Sequence, residues 1–297
     1  MGLVVSNHGQ YVRVRDETAR HILCTKPKRV PHLVAGDEVH WQMGHGGQGI
    51  VIDRLERRSL LARYKTRDKR QAIAANLDQI LFVIAVRPRF DRRLVDRYLI
   101  GAEHQGFKAT LVLNKTDLLA AGELEAYLAT VQPYAALGYQ VVSCSAKSGD
   151  GLSRLREMLS NSTSVFVGQS GVGKSTLTRR LTGDESIATG ELTRADHGRH
   201  TTSAALLHVL DSGVRLIDSP GVREFAAWHI PTAELANAFV ELRPYIGECR
   251  FRDCTHLCEP MCAIQEAVRK GRIHPERLAS YRELFSESVR LAKMGRA

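Results

Sequence analysis

Along roughly the first sixty residues, apolar and polar positions alternate in short runs: Tyr11-Val12-Arg13-Val14-Arg15, Val39-His40-Trp41 and Gly49-Ile50-Val51-Ile52. Gly9, Gly36-Asp37 and Gly44-His45-Gly46-Gly47 break these runs apart. A period of two turns one side of each run to a core and the other to solvent, and glycine turns between such runs predict a small all-β barrel. An aromatic and basic strand, the Pro27-Lys28-Arg29 loop and Val34-Ala35-Gly36-Asp37 follow one another in an order compatible with an OB-fold. Such a barrel either contacts RNA through its strand face and loops or acts as a structural spacer.

Further on, alternation gives way to uninterrupted apolar runs, the pattern of strands buried on both faces. They are Ile80-Leu81-Phe82-Val83-Ile84, Ala109-Thr110-Leu111-Val112-Leu113, Gln140-Val141-Val142-Ser143, Ser164-Val165-Phe166-Val167, Leu206-Leu207-His208-Val209 and Val214-Arg215-Leu216-Ile217. Helical segments separate the first five, whereas Asp211-Ser212-Gly213 reads as a hairpin turn. The prediction is an α/β sheet, mostly parallel with one antiparallel strand. Ile264 to Ala292 reads as largely helical. The expected organisation is a barrel over residues 1–62, a basic linker over 63–76, an α/β domain over 77–230 and a helical domain over 231–297.

Composition narrows the class. The chain has 297 residues, 43% hydrophobic and 25% charged, which excludes collagen-like, coiled-coil and wholly disordered proteins. No stretch approaches the roughly 20 apolar residues of a membrane span, and Met1 to Asn7 lack the basic and apolar segments of a leader, so a cytoplasmic protein without a membrane partner is expected. A formal charge of +10 favours a polyanionic partner, nucleic acid first. Between Arg54 and Arg70 eight basic residues face only Glu56 and Asp68. This run is either a solvated face or a phosphate-contacting segment.

Gly168-Gln169-Ser170-Gly171-Val172-Gly173-Lys174-Ser175, followed by Thr176, lies between an apolar strand and a helix. This is a phosphate loop: glycines let backbone amides converge on phosphate, Lys174 neutralises the β- and γ-phosphates, and the Ser175 hydroxyl can ligate Mg²⁺. Asn114-Lys115-Thr116-Asp117 follows another strand. A carboxylate at Asp117 accepts from the N1–H and exocyclic amine of guanine, whereas adenine offers no such donor pair. With Ser145-Ala146-Lys147 ending a third strand, the combination selects GTP over ATP. Asp218-Ser219-Pro220-Gly221 supplies an Asp for the Mg²⁺ shell and, at Gly221, an amide that can sense the γ-phosphate.

An ordinary GTPase has its phosphate loop first and its Asn-Lys-x-Asp and Ser-Ala-Lys motifs last. Here Asn114 and Ser145 precede Gly168, so the domain reads as a circular permutation whose sheet is unchanged. The polar stretch from Thr189 to Ser203, with Gly198-Arg199-His200-Thr201-Thr202, reads as a switch loop in which Thr201 or Thr202 reaches Mg²⁺. Val222 stands where many GTPases carry a Gln that orients the attacking water. His200 is the candidate catalytic group in its stead, with His197 competing.

Cys249, Cys254, His256, Cys258 and Cys262 fall within fourteen residues. A reducing compartment disfavours disulfides, and Cys249, Cys254, His256 and Cys262 form a Cys₃His set for one structural Zn²⁺, with Cys258 a fifth candidate. Cys24 and Cys144 read as core residues. Arg269, Lys270, Arg272, Arg277, Arg282 and Arg290 beyond the cluster are either on offer to phosphates or part of a solvated helix surface.

Taken together, the chain resembles the circularly permuted, ribosome-associated GTPases of the RsgA/YjeQ type, on Asn114 to Asp117 preceding Gly168 to Ser175, then Gly198 to Thr202, then the cysteine cluster. The resemblance implies an OB barrel, a permuted GTPase core and a zinc domain. It implies GTP hydrolysis to GDP and phosphate during late maturation of the small ribosomal subunit, stimulated by that subunit. It also implies contact with 16S-type rRNA, His200 as the switch histidine, and Cys249, Cys254, His256 and Cys262 as the zinc ligands. Ser203, Cys258 and Met261 depart from the pattern; the departures leave GTP binding untouched, and Cys258 and Met261 bear on the zinc-loop geometry and ligand choice. A monomer is expected. Two further readings from the residues are a binding module regulated by nucleotide with negligible turnover, and a GTP-dependent enzyme on tRNA or another RNA.

Overall fold

The computed structural model describes residues 1–66, 69–184, 187, 205–210, 213–218 and 230–294. Strands β1 (Gly2–His8), β2 (Tyr11–Asp16), β3 (His21–Thr25), β4 (Glu38–Met43) and β5 (Gly49–Arg54) close into a barrel in the order β1-β2-β3-β5-β4. β1 pairs back onto β4 and β3 runs parallel to β5, the OB arrangement. The hydrophobic pattern misses β1 and β3 for identifiable reasons. β1 is covered on both sides, with Val4 in the barrel core and Leu3 packed against the main core, and β3 carries Leu23 on its outer, exposed side. Val12, Val14, Cys24, Leu33, Val39 and Val51 fill the interior.

Where the sequence suggests a basic linker, the backbone forms an antiparallel hairpin of β6 (Leu60–Thr66) and β7 (Lys69–Ala75). Leu61, Ile73 and Ala74 anchor it in the main core, an apolar signal hidden by the surrounding charge. The Ala75 N–H donates to the Ala35 carbonyl at 3.0 Å, and the Asn76 amide to the Gly36 carbonyl at 2.9 Å, so the hairpin ties barrel to sheet. Among the described residues, cations of the basic run are engaged by the protein itself, one with a buried partner and one at the surface. Arg57 donates to the buried Asp37 carboxylate at 2.7 and 2.9 Å, and Arg58 pairs with Asp78 at 3.2 Å.

The central sheet holds β8 (Gln79–Ala85), β9 (Lys108–Asn114), β10 (Gln140–Ser143), β11 (Thr163–Val167), β12 (Leu206–Val209) and β13 (Arg215–Asp218), in the order β10-β9-β8-β11-β13-β12. All neighbours are parallel except β12 against β13, as the alternation of runs predicts. Helices α1 (Arg92–His104), α2 (Glu123–Ala129), α3 (Gln132–Ala136), α4 (Leu152–Leu159) and α5 (Lys174–Thr182) accompany it. One face packs Phe82, Leu111 and Ile217 with Tyr98 and Leu99 of α1; the other packs Leu81, Val83 and Leu216 with Leu155 of α4 and Leu177 of α5. Every residue of β8 is buried, the physical origin of its unbroken apolar run.

The C-terminal part contains α6 (Thr232–Ala238), α7 (Ala263–Arg269) and α8 (Pro275–Met294) around Phe239, Ile264 and Tyr281, and its core takes in Ile100 of α1. Polar rungs reinforce the α1 contact: Arg92 pairs with Glu276, Arg93 with Glu283 at 3.5 Å and Arg97 with Glu287 at 2.6 Å. At the centre the buried Arg277 donates to Asp96 and to Glu241, each at 2.5 Å, and the Ser280 hydroxyl donates to Asp96. The reading of Arg277 as available to phosphate is therefore wrong, because its guanidinium neutralises two buried carboxylates. Arg269 pairs with Glu266, and Arg282 donates to the Leu257 carbonyl at 2.6 Å. No helix among the described residues is long and apolar enough to cross a membrane.

Candidate functional site

Parallel strands deliver their C-terminal ends to one edge of a sheet, the usual place for a ligand in an open α/β fold. Here β9 ends at Asn114, β10 at Ser143, β11 at Val167 and β13 at Asp218, so these strand ends and the loops that open at Lys115, Cys144 and Gly168 gather at this edge. The phosphate loop leaves β11 at Gly168, whose φ is +151°; a Cβ there would overlap the Val83 carbonyl. Gly173, with φ +96°, caps α5, and a Cβ there would overlap the Asn114 amide. Beyond it, Lys174, Ser175 and Thr176 form the first turn of α5, where backbone N–H groups lack partners within the helix. The Lys174 ammonium donates to the Gly168 and Gln169 carbonyls at 2.7 and 2.6 Å and so lies across the loop. Ser170 and Gly171 are exposed while Val172 is buried under the loop.

The Asn-Lys-x-Asp turn is braced against that loop. The buried Asn114 donates from Nδ2 to the Val172 carbonyl at 2.8 Å and accepts the Ala146 N–H at 3.1 Å, joining all three motifs through one amide. Lys115, in the left-handed region at φ +64°, donates to the Gly171 carbonyl at 2.5 Å and the Arg87 carbonyl at 2.8 Å. The Ser145 hydroxyl donates to Asp117 Oδ1 at 2.6 Å and accepts the N–H groups of Lys147 at 3.2 Å and Ser148 at 3.0 Å. One carboxylate oxygen of Asp117 is thus oriented by a neighbour, which fixes where the carboxylate presents its remaining lone pairs. Asp218 ends β13, half-buried.

Gly221, His200, Thr201 and Thr202, together with His197 and Val222, lie outside the described residues. Sequence reasoning missed Arg180 of α5, which donates from Nε to the Ala146 carbonyl at 3.0 Å. A basic residue on a helix carries no sign in the sequence that its head group turns onto a loop. Cys24 and Cys144 are core residues, and burial pushes their thiols up to about 11 and about 12.

In the C-terminal part, one donor atom from each of Cys249, Cys254, His256 and Cys262 lies within 4.8 Å of all the others. Cys249 Sγ is 3.4 Å and Cys262 Sγ 3.5 Å from His256 Nδ1, and the two sulfurs are 3.8 Å apart. Burial, with Cys249 and Cys262 beside it, pushes the Cys254 thiol up to about 12, so this sulfur resists losing its proton unless a cation sits beside it. This donor set can hold a metal ion. Cys258 is exposed and stands apart from it, removing the fifth candidate. His256 and Met261 adopt positive φ, which folds the short loop around the donors.

The profile of the RsgA GTPase family matches residues 54–228. A small ribosomal subunit biogenesis GTPase RsgA of Azotobacter vinelandii is 42% identical over 294 residues, covering 96% of this chain and 84% of the relative. The chain belongs to the RsgA GTPase family. A relative of the same name from Pseudomonas aeruginosa is also 42% identical, over 286 residues, with the same coverage. Among solved structures, YjeQ from Thermotoga maritima superposes with a TM-score of 0.78 at 31% identity, covering 97% of this chain and 98% of that one. YloQ, described as a circularly permuted GTPase, gives 0.74 at 26% identity over 97% and 94%. The RsgA likeness therefore spans barrel, core and C-terminal part. Permutation explains the sheet: moving β8 to β10 behind β13 restores the ordinary GTPase motif order without changing a strand pairing.

Proposed function

We propose that this chain hydrolyses GTP to GDP and phosphate during late maturation of the small ribosomal subunit, which stimulates the reaction. The observation that carries this reading is the bracing of Asn114 and Lys115 against the phosphate loop, although both precede it by more than fifty positions. Asp117, with Ser145, Ala146 and Lys147, takes the guanine, and Gly168 to Thr176 takes the phosphates. On binding, Lys174 exchanges the Gly168 and Gln169 carbonyls for β- and γ-phosphate oxygens. Ser175, Asp218 and either Thr201 or Thr202 would hold Mg²⁺, which would supply charge neutralisation. The Gly221 amide meets the γ-phosphate, and His200 orients the attacking water or takes its proton, a task the Val222 side chain cannot perform.

Cys249, Cys254, His256 and Cys262 would hold one Zn²⁺, and because these four donors would leave no position open for a substrate, the metal would serve a structural role. The OB barrel, the basic run and the zinc-binding C-terminal part dock on rRNA, and the protein works as a cytoplasmic monomer. Hydrolysis relaxes the switch and releases the protein from the subunit.

The test is GTP turnover by the purified protein alone and with small subunits, large subunits or naked RNA at matched salt. Strong stimulation by small subunits alone is expected, and His200→Ala should abolish most of it while GTP binding changes little. Tight GTP binding with no turnover under any condition would overturn hydrolysis in favour of a nucleotide-regulated binding module.

A further inference from the structure

The guanine-reading turn must be held at a fixed height above the phosphate loop, because a nucleotide has one distance between base and phosphates. Asn114 and Lys115 fix the Asn-Lys-x-Asp side of that turn to Val172 and Gly171. The Ser-Ala-Lys side is reached from α5, the helix that the phosphate loop opens into. Arg180 sits six residues past Lys174, about 9 Å along the helix axis. Its guanidinium turns back onto the loop, with Nε donating to the Ala146 carbonyl at 3.0 Å. Arg156 of α4 donates to the Arg180 carbonyl at 2.9 Å, which ties this end of α5 to the helix that follows the loop.

From Ala146 the bonding continues without a break. The Lys147 N–H, on the same peptide unit as the Ala146 carbonyl, donates to Ser145 Oγ at 3.2 Å, and the Ser145 hydroxyl donates to Asp117 Oδ1 at 2.6 Å. A cation stands at one end of this chain and a carboxylate at the other, and every link points the same way. Hydrogen bonds in such a series polarise one another.

We propose that Arg180 is a positioning residue for guanine recognition, acting on Asp117 through Ala146, Lys147 and Ser145. It touches no part of the nucleotide. It sets the rotamer and electron density of the carboxylate that accepts from the guanine N1–H and exocyclic amine, and it does so from the helix that holds the phosphates. The inference rests on the reading of this site as one for guanine nucleotides.

The experiment is competition against a fluorescent GDP analogue by GDP, IDP and ADP, for the wild-type protein, Arg180→Met, Arg180→Lys and Ser145→Ala. IDP lacks the exocyclic amine and engages Asp117 less fully. Because Arg180 is exposed, a single charge-assisted bond is worth only about fivefold in GDP affinity, less than for a buried one. Arg180→Met is expected to lose that factor for GDP, to lose less for IDP and so to narrow the preference for GDP over IDP. Arg180→Lys keeps the charge without a donor at Nε and should behave like Arg180→Met. Combining Arg180→Met with Ser145→Ala should cost no more than Ser145→Ala alone, since both cut one chain.

If GDP and IDP weaken equally in Arg180→Met, the residue merely supports the fold and the proposal is overturned. Unchanged GDP affinity in that variant, with wild type still preferring GDP to ADP, overturns it as well and leaves the guanine assignment standing. A wild-type protein that does not prefer GDP to ADP removes both.

Discussion

Arg277→Met is the sharpest test of what joins the C-terminal part to the sheet domain. Arg277 is 5% exposed, and its guanidinium sits between Asp96 and Glu241, with a third contact over the ring of Phe239 at 4.9 Å. Burial opposes its charge, but the two carboxylates outweigh that effect and hold its pKa above the ordinary arginine value. Methionine keeps most of the apolar stem and removes the charge, leaving two buried carboxylates against each other. Breaking a buried pair in this way costs about 3–5 kcal/mol, whereas the exposed Arg92–Glu276 rung is worth under about 1 kcal/mol. At about 2–4 °C per kcal/mol, the melting temperature should fall by roughly 10 °C. Urea and thermal unfolding followed by far-ultraviolet circular dichroism would compare Arg277→Met with Arg92→Met. Adding Asp96→Asn and Glu241→Gln to Arg277→Met should restore most of the loss, because the penalty lies in the orphaned charges. A cost for Arg277→Met no larger than that for Arg92→Met would refute the reasoning.

Three other outcomes are expected. Gly173→Ala should weaken GDP binding more than tenfold while the circular dichroism spectrum is kept, since a Cβ at φ +96° meets the Asn114 amide; titration with a fluorescent GDP analogue checks it. Asp16 accepts from Thr18 and Arg20, and although burial alone would raise its pKa, these hydrogen bonds bring it from 3.8 to about 2. Its stabilising effect is therefore present above pH 4 and lost as the pH falls through 2, so Asp16→Asn should flatten the acid side of the stability profile in that window. Cys254→Ser should lose the bound metal on dialysis, read by elemental analysis, whereas Cys258→Ser should keep it, because only Cys254 belongs to the four-donor set.

Much of this protein is legible in the order of its residues. A phosphate loop needs glycine where the backbone takes positive φ, and a base-reading turn needs its amide and carboxylate at fixed spacing. Such short-range requirements are written into consecutive residues, so Gly168 to Ser175 and Asn114 to Asp117 could be named and their reversed order recognised from the chain alone. Buried strands likewise announce themselves: β8 is apolar throughout because both its faces are covered. What the chain could not reveal depends on groups far apart in sequence meeting in space. The hairpin at Leu60 to Ala75 hides its few anchoring apolar residues within a charge run. Arg277 and Arg180 look like any other helical arginine. One is buried by carboxylates 181 and 36 positions away, and the other turns onto a loop carbonyl 34 positions away. A cation's role is set by what neutralises it or what it donates to, and only the tertiary structure supplies that partner.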